Sequence, residues 1–189
     1  MKRFRSILLV VLVAVGMWFV AGITSAQVAC AHDPRFACSP RSADRAVQIP
    51  DPSKSWAYYG RLLAGASDTY RFTVEQQLRV PMSLLIEVPD ASNPARPSIA
   101  LTDEGGKTVA VWDFTRSERF HEPFSGLDYL TTPQRNEVLA PGTYAATVTM
   151  HGGTLPQRYV FAIGEAEKFG VGEIPYVLGA VYRVKTRGY

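Results

Sequence analysis

Histidine is scarce in this chain. Its three copies, His32, His121 and His151, are the first residues that bear on chemistry. If processing cuts after Ala31, in the small-residue run Ala29-Cys30-Ala31, His32 becomes the N-terminus. An N-terminal histidine offers its amine and a ring nitrogen to a copper ion, and His121 or His151 would then complete a tetragonal nitrogen site. The plainer expectation is that His32 starts a solvated arm and that His121 and His151 are surface residues. No cofactor is expected, and copper is the alternative.

Catalytic motifs are mostly absent. There is no Gly-x-Ser-x-Gly elbow, no His-Glu-x-x-His, no phosphate-binding glycine loop and no Cys-x-x-Cys. His121-Glu122 begins like a metalloprotease helix, but Pro123 follows at once and no histidine stands at the required spacing. Ser, His and Asp all occur, as in most proteins, and their presence alone is no evidence of a triad. An enzyme is therefore not expected. Asp68 before a strand, and Asp103-Glu104 in a turn, are oxygen donors for calcium, but aspartate also favours such places by bonding its own backbone.

Aromatic residues form the next constellation. Trp56, Tyr58 and Tyr59 cluster, and Trp112, Phe114, Phe120, Phe124 and Tyr129 gather around residues 115–136. Rings that alternate along a strand are mostly core. Trp112, Phe120, Phe124 and Tyr129 escape that pattern and are the expected binding surface, stacking on sugars or anchoring a protein partner.

The compartment is read from the first residues. Lys2, Arg3 and Arg5 precede an apolar run from Ile7 to Ile23, and Thr24-Ser25-Ala26 supplies small residues for cleavage. That order is a secretory signal over residues 1–26. An uncleaved signal anchor, with the domain facing outward, is the alternative and the route by which a membrane would be a partner. The expected location is periplasmic, secreted or outward-facing on a membrane. A cut after Ala26 keeps Cys30 and Cys38, which can pair in an oxidising compartment; a cut after Ala31 leaves Cys38 alone. Gln27 stands where a lipoprotein signal carries an aliphatic residue, which disfavours lipid attachment at Cys30.

The formal net charge of +3 comes from the leader: without Lys2, Arg3 and Arg5, 17 basic residues face 17 acidic ones. No basic face is left to displace counterions, so nucleic acid is not an expected partner. Beyond the leader the chain runs for about 160 residues, the size of one domain able to bury a core.

The elements that must position these residues are strands. Residues 27–55, with Pro34, Pro40, Pro50 and Pro52, read as an extended arm with a short strand at Val47 to Ile49. Period-two alternation then places Tyr70, Phe72 and Val74 on one face of a strand over Asp68 to Glu75. Trp56 to Leu63, Met82 to Val88, Ser98 to Thr102, Thr108 to Trp112, Tyr144 to Met150 and Arg158 to Ile163 read as strands too. Each is expected to bury one face. Asp103-Glu104-Gly105-Gly106-Lys107, Pro141-Gly142 and Gly152-Gly153 are the turns. Short strands with frequent Gly and Pro turns predict an all-β, antiparallel β-sandwich over residues 56–164. Residues 115–136 read as a long connection. In residues 165–189, Ile174, Val177, Leu178 and Val181 recur at helical spacing before Arg183, Lys185 and Arg187, which predicts a short amphipathic C-terminal helix. Its apolar stripe packs on its own domain or lies on a membrane.

The order of motifs carries a family resemblance. Tyr59-Gly60-Arg61-Leu62, Asp68-Thr69-Tyr70-Arg71-Phe72, Pro97-Ser98-Ile99-Ala100-Leu101, Ala140-Pro141-Gly142-Thr143-Tyr144 and Arg158-Tyr159-Val160-Phe161-Ala162-Ile163 resemble the bacterial pre-peptidase C-terminal domains. The resemblance spans residues 56–164 and implies a jelly-roll sandwich with a non-catalytic, accessory or binding role. The chain departs from that pattern by its long arm, its C-terminal helix and the lack of an attached peptidase. Taken together, the reading is a non-enzymatic exported module that binds protein or polysaccharide of the envelope. A copper-binding protein built on His32 and a membrane-anchored protein are the alternatives.

Overall fold

The computed structural model describes residues 33–37, 42–88, 95–122, 126–166 and 174–186. Among these, twelve strands form two sheets. The larger holds β1 (Asp33–Phe36), β3 (Trp56–Leu62), β12 (Gln157–Ile163), β5 (Leu78–Glu87), β9 (Leu127–Thr131) and β8 (Glu118–Glu122), in that order. β10 (Arg135–Leu139) follows β9 along the same edge of β5. The smaller sheet runs β2 (Val47–Gln48), β4 (Ser67–Val74), β11 (Gly142–His151), β6 (Arg96–Asp103), β7 (Thr108–Trp112). From β3 to β6, and again from β10 to β12, each connection carries the chain to the other sheet, the winding of a jelly roll.

Apolar alternation explains the sandwich. Tyr70, Phe72, Ile99, Leu101, Val148 and Met150 point inward from the smaller sheet and are almost fully buried. They meet Tyr58, Leu84, Ile86 and Phe161 from the larger one in a single core. The strands are antiparallel with two exceptions: β1 runs parallel to β3, and β2 parallel to β4. Both belong to the N-terminal arm. A strand joined to its neighbour by a long connection is free to lie parallel, whereas a tight hairpin is not.

Three expectations are corrected. Residues 115–136 are not a long connection: β8, β9 and part of β10 lie within them, and β8 pairs β9 with Phe120 opposite Tyr129. Glu118, Arg119, His121 and Glu122 hid the alternation, because β8 lies at the edge of its sheet and exposes most of its side chains. The larger sheet is not wet on its outer face. Ala57, Tyr59, Leu85, Tyr129, Val160 and Ala162 form a second apolar cluster there with Val184. Val184 belongs to the C-terminal helix, α1 (Ile174–Lys185), which packs against β1. Ala180 and Val184, one helical turn apart, are buried, and the Arg183 guanidinium lies 4.5 Å from the Phe36 ring centroid. Third, Trp112 and Tyr129 are not surface rings. Trp112 belongs to the main core at 8% exposure and Tyr129 to the second cluster at 1%. Strand formation turned both inward. No helix among the described residues is long and apolar enough to cross a membrane.

Candidate functional site

β6 and β11 are antiparallel neighbours whose register sets Thr149 opposite Ser98 and His151 opposite Arg96. Alternation sends Pro97, Ile99 and Met150 into the core, so Ser98 and His151 emerge together on the outer face. They are diagonal neighbours across the pair, and Ser98 Oγ lies 2.7 Å from His151 Nε2.

The adjacent strand supplies the rest of the site. β7 ends at Trp112, and the chain turns through Asp113, Phe114 and Thr115. Asp113 Oδ1 accepts from the Thr115 N–H at 2.8 Å and from the Thr115 hydroxyl, an Asx-type turn. The Thr115 hydroxyl and then its N–H hold the Asp113 carboxyl below the usual carboxylate range, with a smaller contribution from nearby His151. Phe114 is half-buried against the main core. Arg96, Ser98, Asp113, Phe114, Thr115 and His151 thus line a pocket of about 500 Å³, with Pro97 and Val111. That volume suits a small ligand.

The remaining atoms limit the chemistry. A serine 2.7 Å from an imidazole has the spacing of a nucleophile and its base. Acyl transfer also needs a third group that orients the imidazole. Asp113 spends Oδ1 on Thr115, and no hydrogen bond joins His151 to Asp113 among the described residues. His151 Nδ1 and the second oxygen of Asp113 carry no hydrogen bond among the described residues. A cavity of about 480 Å³ at the opposite end of the sandwich, between residues 50–53 and the β4–β5 turn, lacks an aromatic side chain.

The sequence-predicted residues fall in separate places. His121 lies on β8, its Nδ1 2.8 Å from Asp128 Oδ1, and both side chains are exposed. His151 is on the other sheet. Among the described residues no group of three His, Cys, Asp or Glu side chains is gathered as a metal site. Asp103 Oδ1 accepts from the Lys107 N–H at 2.9 Å, closing its own hairpin turn. Phe120 is half-buried against the second apolar cluster. Cys30, Cys38, His32, Phe124 and the leader 1–26 lie outside the described residues. Sequence reasoning passed over Ser98 and Asp113. Outward alternation marked Ser98 as exposed, but nothing local announced that β6 pairs with β11.

No protein-family model matches the chain, and no characterised protein matches it in sequence. Among solved structures, it is similar to the pre-peptidase C-terminal domain of the Bacillus anthracis collagenase, with 15% identity and a TM-score of 0.42 over 67% of this chain and 99% of that one. It is also similar to a family 35 carbohydrate binding module from an environmental isolate, with 12% identity and a TM-score of 0.35 over 57% of this chain and 74% of that one. A third is the Aeromonas hydrophila periplasmic inhibitor of g-type lysozyme, with 11% identity and a TM-score of 0.35 over 69% and 97% of the two chains.

Proposed function

We propose that this chain is a non-enzymatic, exported β-sandwich module that binds polysaccharide of the cell envelope or outside the cell. The pocket carries the reading. A half-buried ring beside convergent hydroxyl, imidazole and carboxyl groups is the chemistry that holds a sugar, which has an apolar face and a rim of hydroxyls. Export rests on the basic and apolar order of residues 1–26. A protein partner is the second reading. It is favoured by Val109 and Val111, 40% and 57% exposed on β7, the edge of the smaller sheet, where an extended peptide could add a strand.

Retention on washed cell envelopes tests both. Polysaccharide binding predicts retention that survives protease treatment of the envelopes and is lost after periodate, which cleaves sugar diols. The reverse pattern would assign a protein partner, and no retention would sink both. Steady turnover of ester, glycoside or peptide substrates, lost in Ser98→Ala, would overturn the non-enzymatic part.

A further inference from the structure

We infer that the pocket between β6, β7 and β11 takes a neutral sugar residue with adjacent free hydroxyls. This rests on the polysaccharide reading above and narrows it to a ligand class. The first ground is the Ser98–His151 pair. If Ser98 donates to His151 Nε2, the ring carries its proton on Nδ1, leaving one donor there and one acceptor on Ser98. If Nε2 donates instead, Nδ1 becomes the acceptor and the Ser98 hydroxyl the donor. Either tautomer presents one donor and one acceptor. A hydroxyl group satisfies both at once, whereas a carboxylate only accepts and an ammonium only donates.

The second ground is Asp113. Its Oδ1 is held by Thr115, and its other oxygen carries no hydrogen bond among the described residues, so it can accept from a second hydroxyl. The third is charge. The Asp113 carboxylate and the Arg96 guanidinium both line the pocket, so an anionic sugar meets the one and a cationic sugar the other. The fourth is shape: Phe114 and Val111 give the C–H face of a pyranose an apolar bed.

The test is amide NMR of the mature protein titrated with cellohexaose, maltohexaose and chitohexaose, and with the acidic hexamer of polygalacturonate. At least one neutral hexamer should shift the Ser98, Phe114, Thr115 and His151 amides. His151→Ala and Asp113→Asn should each weaken it about tenfold, as when one hydrogen bond of about 1.4 kcal/mol is lost. Asp113→Asn keeps an oxygen to accept from Thr115, so the turn survives while the second acceptor becomes a donor. Tighter binding of polygalacturonate at these residues would overturn the neutral assignment and leave the polysaccharide reading standing. Undiminished binding in both variants would place the ligand elsewhere. If no hexamer moves these amides, and envelope glycan fragments do not either, the inference and the reading fall together.

Discussion

The Tyr159 hydroxyl donates to Asp68 Oδ2 at 2.6 Å in the middle of the core, where both residues are fully buried. Tyr70 Oη lies 2.7 Å from the same hydroxyl. Tyr159 has one proton and gives it to Asp68, so Tyr70 donates to Tyr159. The chain Tyr70–Tyr159–Asp68 links β4 of one sheet to β12 of the other, and it lets a carboxyl group sit among aromatic rings. Tyr70 lies 5.0 Å from both Tyr58 and Phe161, ring centre to ring centre.

Removing one hydroxyl should expose the cost of that burial. Tyr159→Phe takes a donor from a buried carboxyl group and should destabilise the fold by about 1–3 kcal/mol. Urea unfolding followed by tryptophan fluorescence measures it. A loss below about 0.5 kcal/mol would mean that Asp68 is satisfied without Tyr159.

Alkali should unfold the protein through its tyrosines. Burial foremost raises the Tyr159 phenol well above its ordinary value, with Tyr70 and Asp68 adding to it. Burial does the same at Tyr59, assisted by Tyr129, Glu122 and Glu87. A raised native pKa contributes stability below the unfolded value, about 10, and loses it as pH rises beyond. Stability should therefore be insensitive to these two groups up to about pH 9 and fall above about pH 10, by roughly 1.4 kcal/mol per pH unit for each group. Phenolate absorbance should show these tyrosines titrating only with unfolding.

Gly60 is held open by the same tyrosine. A Cβ at position 60 would lie 2.5 Å from the Cζ and Oη atoms of Tyr159. Gly60→Ala should cost about 1–3 kcal/mol or more by overpacking, although alanine suits a strand better than glycine. In Tyr159→Leu, which removes the ring, the same substitution should cost less. Equal losses in both backgrounds would rule out the close approach as the cause.

The C-terminal helix should behave as part of the domain. Val184, 1% exposed, fills the second apolar cluster, and Val184→Ala should cost about 1–3 kcal/mol. Tyr182, 71% exposed on the same helix, should tolerate alanine within about 0.5 kcal/mol. If Val184→Ala is equally silent in urea unfolding, the helix does not contribute to the cooperative unit.

Maturation sorts the readings of the N-terminus. The intact mass of protein isolated from its own cells should correspond to a start at Gln27, with a gain of two hydrogens on reduction from a Cys30–Cys38 disulfide. A start at His32 would favour copper, and His32→Ala should then abolish tight one-to-one copper binding. An uncut chain would favour the membrane anchor.

Most of the strand series was legible because period-two alternation is a local property. Tyr70, Phe72 and Val74 announce a half-buried strand without knowledge of its partners, and the helix over 174–185 is equally plain from its spacing. β8 and β9 were not legible. Glu118 and His121 on an edge strand have no reason to alternate cleanly with apolar residues, so a charged stretch looked like a connection. Tyr129 was placed on the surface for the same reason; Trp112 ends a strand that was read, and alternation with Ala110 turns it inward.

What the sequence determined by itself is most of the strands, the faces they bury and the turns that separate them. These depend on side chains a few positions apart. Only the tertiary structure decided that Ser98 meets His151 in a pocket that Asp113 also lines, that Asp68 finds Tyr159, and that Val184 of α1 joins the apolar cluster on the outer face of the larger sheet. Each of those contacts joins segments separated along the chain, and strand pairing, which has no local signature, brings them together.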